Sequence, residues 1–251
     1  MIPLVVRPEP QNHRLCEALR QAGHQPVATP LLSFAPGAEL AQAPRLLGEL
    51  GSRDYVIAVS VAAVNFADNA LKTRGQPWPD VTYVAVGEAT GRALAAVGVP
   101  HALVPDDPRS EGMAALPELQ NPAGCRVLIL RGDGGRDMMA PTLTQRGAQV
   151  AYCEVYRRCY RDDAGEQLVK EWQRQGVDSI IITSGGLLQH LFQLAADSAK
   201  DWLLSRLLIV PSIRVTEQAK ALGFTHIINA KGASNPALLS ALDERKRNDR
   251  Q

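Results

Sequence analysis

The stretch Asp54-Tyr55-Val56-Ile57-Ala58-Val59-Ser60 recurs 124 residues later as Asp178-Ser179-Ile180-Ile181-Ile182-Thr183-Ser184. Both copies are apolar runs that follow an aspartate and end at a serine. A short run of Val, Ile and Leu without alternation is typical of a strand buried on both faces of a parallel sheet. A serine directly after such a run is typical of a helix start. The pair therefore predicts two equivalent strand-to-helix turns in an α/β fold.

The same offset of 124 relates further segments of the chain. Leu4-Val5-Val6-Arg7 corresponds to Leu128-Ile129-Leu130-Arg131, and Val84-Ala85-Val86-Gly87 corresponds to Leu208-Ile209-Val210-Pro211. Any two α/β segments share apolar strands and a closing glycine, so no single match is informative. One offset that holds across separated segments indicates an internal repeat.

Each half of the chain alternates short apolar runs with amphipathic stretches, which predicts alternating strands and helices. The expected strands are 4–6, 55–59, 81–86, 127–130, 179–182 and 207–210, with shorter candidates at 101–104 and 226–228. The expected helices are 14–22, 62–71, 88–96, 138–146, 166–175, 187–195 and 216–222. The predicted fold class is α/β, with a parallel sheet flanked by helices in each half.

Two extended-looking segments, 27–34 and 149–157, occupy the same place in both repeats and interrupt this alternation. We expect them to be linker strands that join two domains. The C-terminal segment 244–251 is a run of charged residues, and a frayed end in solvent is the expected structure.

Composition narrows the function classes. The chain has 251 residues, enough for two domains, and 27 Lys+Arg against 26 Asp+Glu give a net charge of +1. Near-neutral charge and 5% aromatic residues argue against a nucleic-acid-binding protein. The four cysteines and five histidines show no metal-ligand spacing, and the cysteines are expected to be small buried side chains in a reducing compartment. No apolar run is long enough for a membrane span or a signal peptide, so a cytoplasmic protein is expected.

Ligands of parallel α/β sheets bind beyond the carboxyl ends of the strands, where helices begin. Ser60 and Ser184 each stand at such a turn. Each can be a helix N-cap without further function. Because they are equivalent in the repeat, they also suit a paired anion site made of helix N-termini.

The other paired turns are Gly87-Glu88-Ala89-Thr90 and Pro211-Ser212-Ile213-Arg214, and Arg7 and Arg131 end the first strand of each repeat. Gly87 allows close approach of a ligand to the backbone. The arginines can be solubilising or can contact a ligand. The glycine-rich segment 132–136 lacks the Lys-Ser/Thr of a phosphate loop, which disfavours nucleotide binding. Tyr156 lies in an expected linker, where it can be a packing residue or project into a cleft between domains as an acid.

An ordered set of short motifs then resembles one family, the uroporphyrinogen-III synthases, over nearly the whole chain. The motifs are Val6-Arg7-Pro8, Ser60 with Val64, Val86-Gly87-x-x-Thr90, Ser110-Glu111-Gly112, Leu130-Arg131-Gly132, Val155-Tyr156-Arg157, Thr183-Ser184, Val210-Pro211-Ser212-x-Arg214 and Ala233-Ser234. The resemblance implies one discontinuous domain of residues 1–34 with 160–251, and a second of 39–154. The two linker strands would pair between them, with a cleft between the domains.

The resemblance also implies an activity. Similar proteins cyclise hydroxymethylbilane to uroporphyrinogen III without a cofactor, with loss of water and inversion of ring D through a spirocyclic intermediate. The implied enzyme is a hydro-lyase of tetrapyrrole biosynthesis and a monomer, which hydroxymethylbilane synthase could supply with substrate. With eight carboxylates on the substrate and a net charge of +1, recognition is expected to use helix N-termini and backbone amides.

By this resemblance Tyr156 is the candidate acid for the leaving hydroxyl. The implied substrate-binding residues are Arg7, Ser60, Val61, Gly87, Thr90, Ser110, Arg131, Gly132, Ser184, Gly185, Pro211, Ser212 and Arg214. The family often has Thr-Ser and a polar residue at the first turn, whereas this chain has Val59-Ser60-Val61-Ala62. Binding there is therefore expected through backbone N–H groups, so that Ser60→Ala would have little effect.

Two other classes of function remain open from the sequence. One is a non-catalytic, two-domain cytosolic module that binds a small anionic ligand, although such a module gives no reason for a tyrosine in the linker. The other is a regulatory or interaction domain, which would carry an exposed apolar patch.

Overall fold

The computed structural model describes residues 1–106, 110–134, 139–162 and 165–248, without the side chains of 110–111 and 245–248. The chain divides into two compact units, one of residues 1–33 with 159–251 and one of residues 34–158. Each unit contains a five-stranded sheet. We call them the discontinuous unit and the central unit.

The strands are β1 (Pro3–Val5), β2 (Val27–Ala28), β3 (Leu32–Pro36), β4 (Tyr55–Ala58), β5 (Thr82–Ala85), β6 (Arg126–Gly132), β7 (Gln149–Tyr160), β8 (Ser179–Ile181), β9 (Leu207–Val210) and β10 (Ile227–Asn229). The helices are α1 (Gln11–Gln21), α2 (Ala43–Gly48), α3 (Val61–Thr73), α4 (Glu88–Ala96), α5 (Ser110–Ala114), α6 (Met139–Gln145), α7 (Gly165–Arg174), α8 (Gly185–Leu194), α9 (Asp197–Leu204), α10 (Ile213–Ala221) and α11 (Asn235–Asn248).

In the discontinuous unit the strand order is β10-β9-β8-β1-β2, and the paired strands are parallel. The first strand of the chain therefore lies inside this sheet, with Leu4 paired to both Val27 and Ile180. Side chains of α1 and α11 pack on one face, where Leu15, Leu19 and Leu238 form a core with strand residues.

In the central unit the order is β3-β7-β6-β4-β5, with β4 to β7 parallel. Neighbouring residues of β4 belong to different hydrophobic cores: Val56 and Ala58 pack on one face of the sheet, and Ile57 packs on the other. Both faces of the strand are thus buried, as its unbroken apolar sequence predicts. The α/β fold with parallel sheets flanked by helices is confirmed.

The internal repeat is confirmed by the order of the strands. At an offset of 124, β2, β1, β8 and β9 correspond to β7, β6, β4 and β5, and each set is consecutive in its sheet in that order. Leu103 forms an isolated parallel bridge to Val84 at the place where the other sheet has β10. Equivalent sequence segments therefore occupy equivalent positions in the two sheets.

Some expectations were wrong. The segment 27–34 is not one strand, because β2 belongs to the first sheet and β3 to the second. The charged C-terminal segment is not frayed from residue 244: α11 continues to Asn248 and is held by the buried side chains of Leu238, Ala241 and Leu242. Cys125 and Cys159 are only half-buried. The helices α2, α5, α9 and α11 were not predicted.

Candidate functional site

A cavity of about 180 Å³ lies in the central unit, beyond the carboxyl ends of β4, β5 and β6. It is smaller than the ~300–1,000 Å³ of pockets that enclose a drug-sized ligand, so it has room for only part of a larger molecule. Its lining combines an apolar floor with a few polar groups: Val59, Val86, Met113, Ile129, Arg131, Gly132, Gly134, Met139, Tyr152, Tyr156 and Arg158.

Tyr156 is brought to this cavity by an irregularity between β6 and β7. Arg131 pairs with Glu154, but the next residue, Gly132, pairs with Tyr156, so β7 contains one extra residue at this point. As a result Val155 and Tyr156 are both buried although they are consecutive in a strand. A bulge of this kind redirects a side chain out of the regular alternation.

The ring of Tyr156 is held on three sides, and the residue is only 2% exposed. Phe34 meets it edge-on at 5.4 Å between ring centroids, and Phe66 stacks on it at 6.0 Å. Gly132 covers a further side, where a Cβ atom would lie 2.5 Å from Cζ of the tyrosine. These contacts fix the position of the phenol oxygen.

In the described part of the chain, two side chains donate to that oxygen. Ser60 Oγ donates to it at 3.1 Å, and Oγ also accepts the N–H of Ala63 at 3.1 Å as the N-cap of α3. Arg158 Nη2 donates to it over a longer distance of 3.4 Å. The serine expected to be an N-cap therefore caps the helix and contacts the candidate acid with the same oxygen.

Arg158 is itself fixed by Asp133, in the loop after β6. The backbone N–H of Arg158 donates to Asp133 Oδ1 at 2.9 Å, and Nη1 donates to the Asp133 carbonyl at 3.2 Å. The N–H of Asp133 in turn donates to the carbonyl of Tyr156 at 2.9 Å. The loop and the strand hold each other in place beside the phenol.

Arg131 contributes a buried cation to the same cavity and is 8% exposed. Its guanidinium lies 4.7 Å from the centroid of the Tyr152 ring. It donates to the carbonyl oxygens of Gly134, at 2.6 Å, and Gly132, at 3.3 Å. The end of β6 thus supplies positive charge at the cavity wall.

The remaining predicted residues of this unit lie at helix starts. Val61 is the first residue of α3, Gly87 is the N-cap of α4, and Thr90 is buried in the first turn of α4. Neither Val61 nor Thr90 lines the cavity, although Val59 and Val86, which precede the two turns, do. Ser110 begins α5, and its side chain lies outside the described part of the chain.

In the discontinuous unit the predicted residues follow β1, β8 and β9, which are neighbours in the sheet. Ser184 and Ser212 cap α8 and α10 by accepting the N–H groups of Leu187 and Val215. Pro211 precedes one cap, Gly185 follows the other, and Arg214 is exposed. Arg7 Nη1 donates to Asn235 Oδ1 at 3.1 Å, and burial lowers the pKa of its guanidinium.

Sequence reasoning missed Arg158, Asp133, Phe34 and Phe66. Arg158 could have been identified from the sequence, because residues two apart in a strand share a face and Tyr156 was already a candidate. Asp133 lies in the glycine-rich segment 132–136, which lacks the Lys-Ser/Thr of a phosphate loop and was therefore not taken as a candidate site. The two phenylalanines carried no usable signal, since they come from separate elements of the unit.

Neither a metal centre nor a membrane span is visible in the parts described. Within those ranges, no group of three His, Cys, Asp or Glu side chains is placed to hold a metal ion. None of the helices found there combines the length and the apolar character that crossing a bilayer requires.

Comparisons with known proteins agree with this architecture. The solved uroporphyrinogen III synthase of Thermus thermophilus superposes with a TM-score of 0.67 at 18% identity and 98% coverage of both chains. The uroporphyrinogen-III synthetase of Helicobacter pylori gives a TM-score of 0.58 at 17% identity, covering 97% of this chain and 99% of that one. At these identities the likeness shows a shared fold.

Sequence comparison goes further. The chain is 41% identical over 242 residues to the uroporphyrinogen-III synthase of Escherichia coli, covering 95% of this chain and 98% of that protein. The Salmonella typhimurium enzyme is 40% identical over the same shares. The profile of the family described as uroporphyrinogen-III synthase HemD matches residues 13–240. This chain therefore belongs to the uroporphyrinogen-III synthase family.

Proposed function

We propose that the chain carries out the reaction of its family on hydroxymethylbilane, with Tyr156 as the proton donor. The observation that carries the proposal is the phenol oxygen of Tyr156, fixed beside the cavity and within hydrogen-bond distance of Ser60 and Arg158. A positioned acid is what departure of a hydroxyl requires, because hydroxide is a poor leaving group.

In this proposal the proton of Tyr156 joins the terminal hydroxyl of the substrate, which leaves as water. The pyrrole nitrogen supplies the electrons, and the product of this step is an azafulvenium cation, whose positive charge balances that of the phenolate. Attack by the substituted carbon of ring D gives the spirocyclic pyrrolenine, which fragments and recloses in the inverted sense. The proton released when the last ring regains aromaticity returns to the phenolate of Tyr156, so the enzyme ends as it began.

Substrate binding is proposed for the turns at the carboxyl ends of the strands. A helix N-terminus offers free N–H groups and the positive end of its dipole to a carboxylate. Ser60, Ser184 and Ser212 each cap such a terminus. The full proposed set is Arg7, Ser60, Val61, Gly87, Thr90, Ser110, Arg131, Gly132, Ser184, Gly185, Pro211, Ser212 and Arg214.

We further propose that the two compact units are the domains of the enzyme and that β3 and β7 are the strands linking them. The enzyme would act as a monomeric hydro-lyase in the cytoplasm. It would need no cofactor, because the substrate provides the electrons for each step. Direct supply by hydroxymethylbilane synthase would suit a linear substrate that also cyclises without an enzyme.

The test is an isomer assay on the full chain. Freshly generated hydroxymethylbilane is incubated with the protein, the products are oxidised, and the porphyrin isomers are separated by chromatography. We expect isomer III from the wild type and mainly isomer I, at the uncatalysed rate, from Tyr156→Phe. The control is Tyr55→Phe, because the Tyr55 hydroxyl donates to the carbonyl of Glu118 and Tyr55 is not one of the residues that line the cavity.

Two results would contradict the proposal. Isomer I alone from the wild type would reject the synthase reaction and favour a binding module. Isomer III from Tyr156→Phe at the wild-type rate would reject the acid, while leaving the reaction itself in place.

A further inference from the structure

We propose that Arg158 is a positioning residue which, together with Ser60, fixes the direction in which the Tyr156 hydroxyl donates its proton. The inference rests on the proposed role of Tyr156 as the proton donor. It concerns a residue beyond the proposed binding set, at the end of the central unit.

A phenol both donates and accepts hydrogen bonds. Its oxygen carries one hydrogen to donate and lone pairs that accept. A guanidinium has only donors, so Arg158 Nη2, 3.4 Å from the phenol oxygen, can occupy a lone pair and cannot take the proton. Arg158 therefore removes one of the directions in which the phenol proton could point.

Ser60 removes a second direction. Its Oγ accepts the N–H of Ala63 at 3.1 Å and donates to the phenol oxygen over 3.1 Å between the two oxygens. When the Ser60 hydroxyl donates to the phenol oxygen, as Arg158 does, neither group accepts the phenol proton. The proton then points towards a third partner, and the open space that Tyr156 and Arg158 both line is the cavity.

The arginine is held in the orientation that this role needs. Asp133 accepts the backbone N–H of Arg158 at its carboxylate and the Nη1–H at its carbonyl, so the backbone and the guanidinium of this residue are both anchored. The guanidinium carbon lies 5.7 Å from the centroid of the Tyr156 ring. A planar group fixed in this way loses little freedom when it donates.

The hydrogen bond from Arg158 to the Tyr156 oxygen would also stabilise the phenolate that forms after proton transfer. Among the described residues, the charged side chains that line the cavity are Arg131 and Arg158, and the Asp133 carboxylate accepts the backbone N–H of Arg158. Two cations near a new negative charge stabilise it without any rearrangement. Removing Arg158 should slow the step that creates the charge more than it weakens binding.

The experiment compares Arg158→Met, which keeps a long apolar stem and loses the donors, with Arg158→Lys, which restores a donor-only cation. Arg45→Met is the matched control, because Arg45, on α2, forms an exposed ion pair with Glu49, the residue that follows this helix. We measure kcat and KM for isomer III. Each variant is also labelled with ¹³C at tyrosine Cζ, and the Tyr156 resonance is assigned by its loss in Tyr156→Phe.

We expect Arg158→Met to lower kcat by about tenfold with KM unchanged, since a hydrogen bond from a charged donor is lost. Arg158→Lys should recover most of that loss, and Arg45→Met should behave as the wild type. The Tyr156 resonance should move in Arg158→Met and return in Arg158→Lys.

The alternatives are distinguishable. A raised KM with unchanged kcat in Arg158→Met would make Arg158 a substrate-binding residue and overturn the proposal. An unmoved Tyr156 resonance would overturn it as well, whatever the activity. A fully active Tyr156→Phe variant would instead reject the acid on which the inference rests.

Discussion

Gly132 and Tyr156 face each other across β6 and β7 at the residue where the pairing register shifts. A Cβ on Gly132 would lie 2.5 Å from Cζ of the ring and 2.9 Å from its oxygen. The absence of a side chain at Gly132 is therefore what allows the tyrosine to enter the cavity wall. This close approach makes Gly132 a direct test of the site.

Gly132→Ala should displace the Tyr156 ring from between Phe34 and Phe66. We expect isomer III formation to fall towards the uncatalysed background and the free energy of unfolding to drop by about 1–3 kcal/mol, as in other overpacked sites. Gly51→Ala is the control, because its Cβ would meet Asp54 at an ordinary 3.9 Å. Normal turnover by Gly132→Ala would show that the position of the ring does not matter.

The contact between Ser60 and Tyr156 reverses the effect on turnover that the sequence predicts for Ser60→Ala. Ser60→Ala should reduce turnover, because it removes a donor from Tyr156, and should cost about 1 kcal/mol of stability by removing the N-cap of α3. Ser60→Gly separates the effects, since glycine caps helices better than alanine but also lacks the hydroxyl. Equal losses of turnover in both variants, with unequal unfolding in urea, would assign the kinetic effect to the hydroxyl. Full activity of Ser60→Ala would restore the backbone-only interpretation.

Asp54 and Arg126 provide a prediction about pH. Burial acts to raise the pKa of Asp54, but N–H groups of Gly51 and Arg126 and the Arg126 guanidinium outweigh it and bring the pKa below its ordinary value. A lowered pKa in the folded state adds stability above the unfolded value of ~3.9 and loses it as the pH falls through the folded value.

Asp54→Asn should therefore lower the free energy of unfolding by about 2 kcal/mol at pH 7, and the difference from wild type should shrink below about pH 4. Urea unfolding followed at both pH values measures this. Glu49→Gln, in an exposed pair, should cost at most about 0.5 kcal/mol. A difference that is constant with pH would contradict the role of the Asp54 charge.

The hydrogen bond between Thr29 and Trp172 provides a test of the proposed discontinuous domain. Trp172 Nε1 donates to Thr29 Oγ1 at 3.1 Å, and both residues are buried although they are far apart in the chain. Thr29→Val leaves the indole N–H without an acceptor and should cost about 1–3 kcal/mol. Thr29→Ser keeps the hydroxyl and should cost less. If the serine variant were the less stable of the two, the hydrogen bond would not be what joins these segments.

Much of this fold could be predicted because the apolar runs are short, unbroken and repeated. Val56, Ile57 and Ala58 are buried on both faces, and Ser60 and Ser184 begin helices as their place in the repeat predicts. The α11 helix was not predicted, although Leu238, Ala241 and Leu242 have helical spacing, and a frayed end was expected from residue 244.

The rest of the site depends on tertiary contacts that local sequence does not encode. One extra residue in β7 decides that Tyr156 faces the cavity, and a bulge has no signature in a run such as Glu154-Val155-Tyr156. The split of 27–34 between two sheets likewise follows from strand pairing, which brings Leu31 to Arg161 through a backbone hydrogen bond. Local sequence pattern predicts the strands and helices, whereas the pairing between strands decides which sheet each strand joins.

The place of β1 inside its sheet has a consequence for biosynthesis on the ribosome. The central unit is continuous and can fold as soon as residues 34–158 have emerged. The first 33 residues are made earlier, yet the neighbouring strand β8 is translated only after that unit is complete. Until β8 is made, β1 can pair only with β2, so the edge of β1 that pairs with β8 stays without its partner strand while the whole central unit is synthesised.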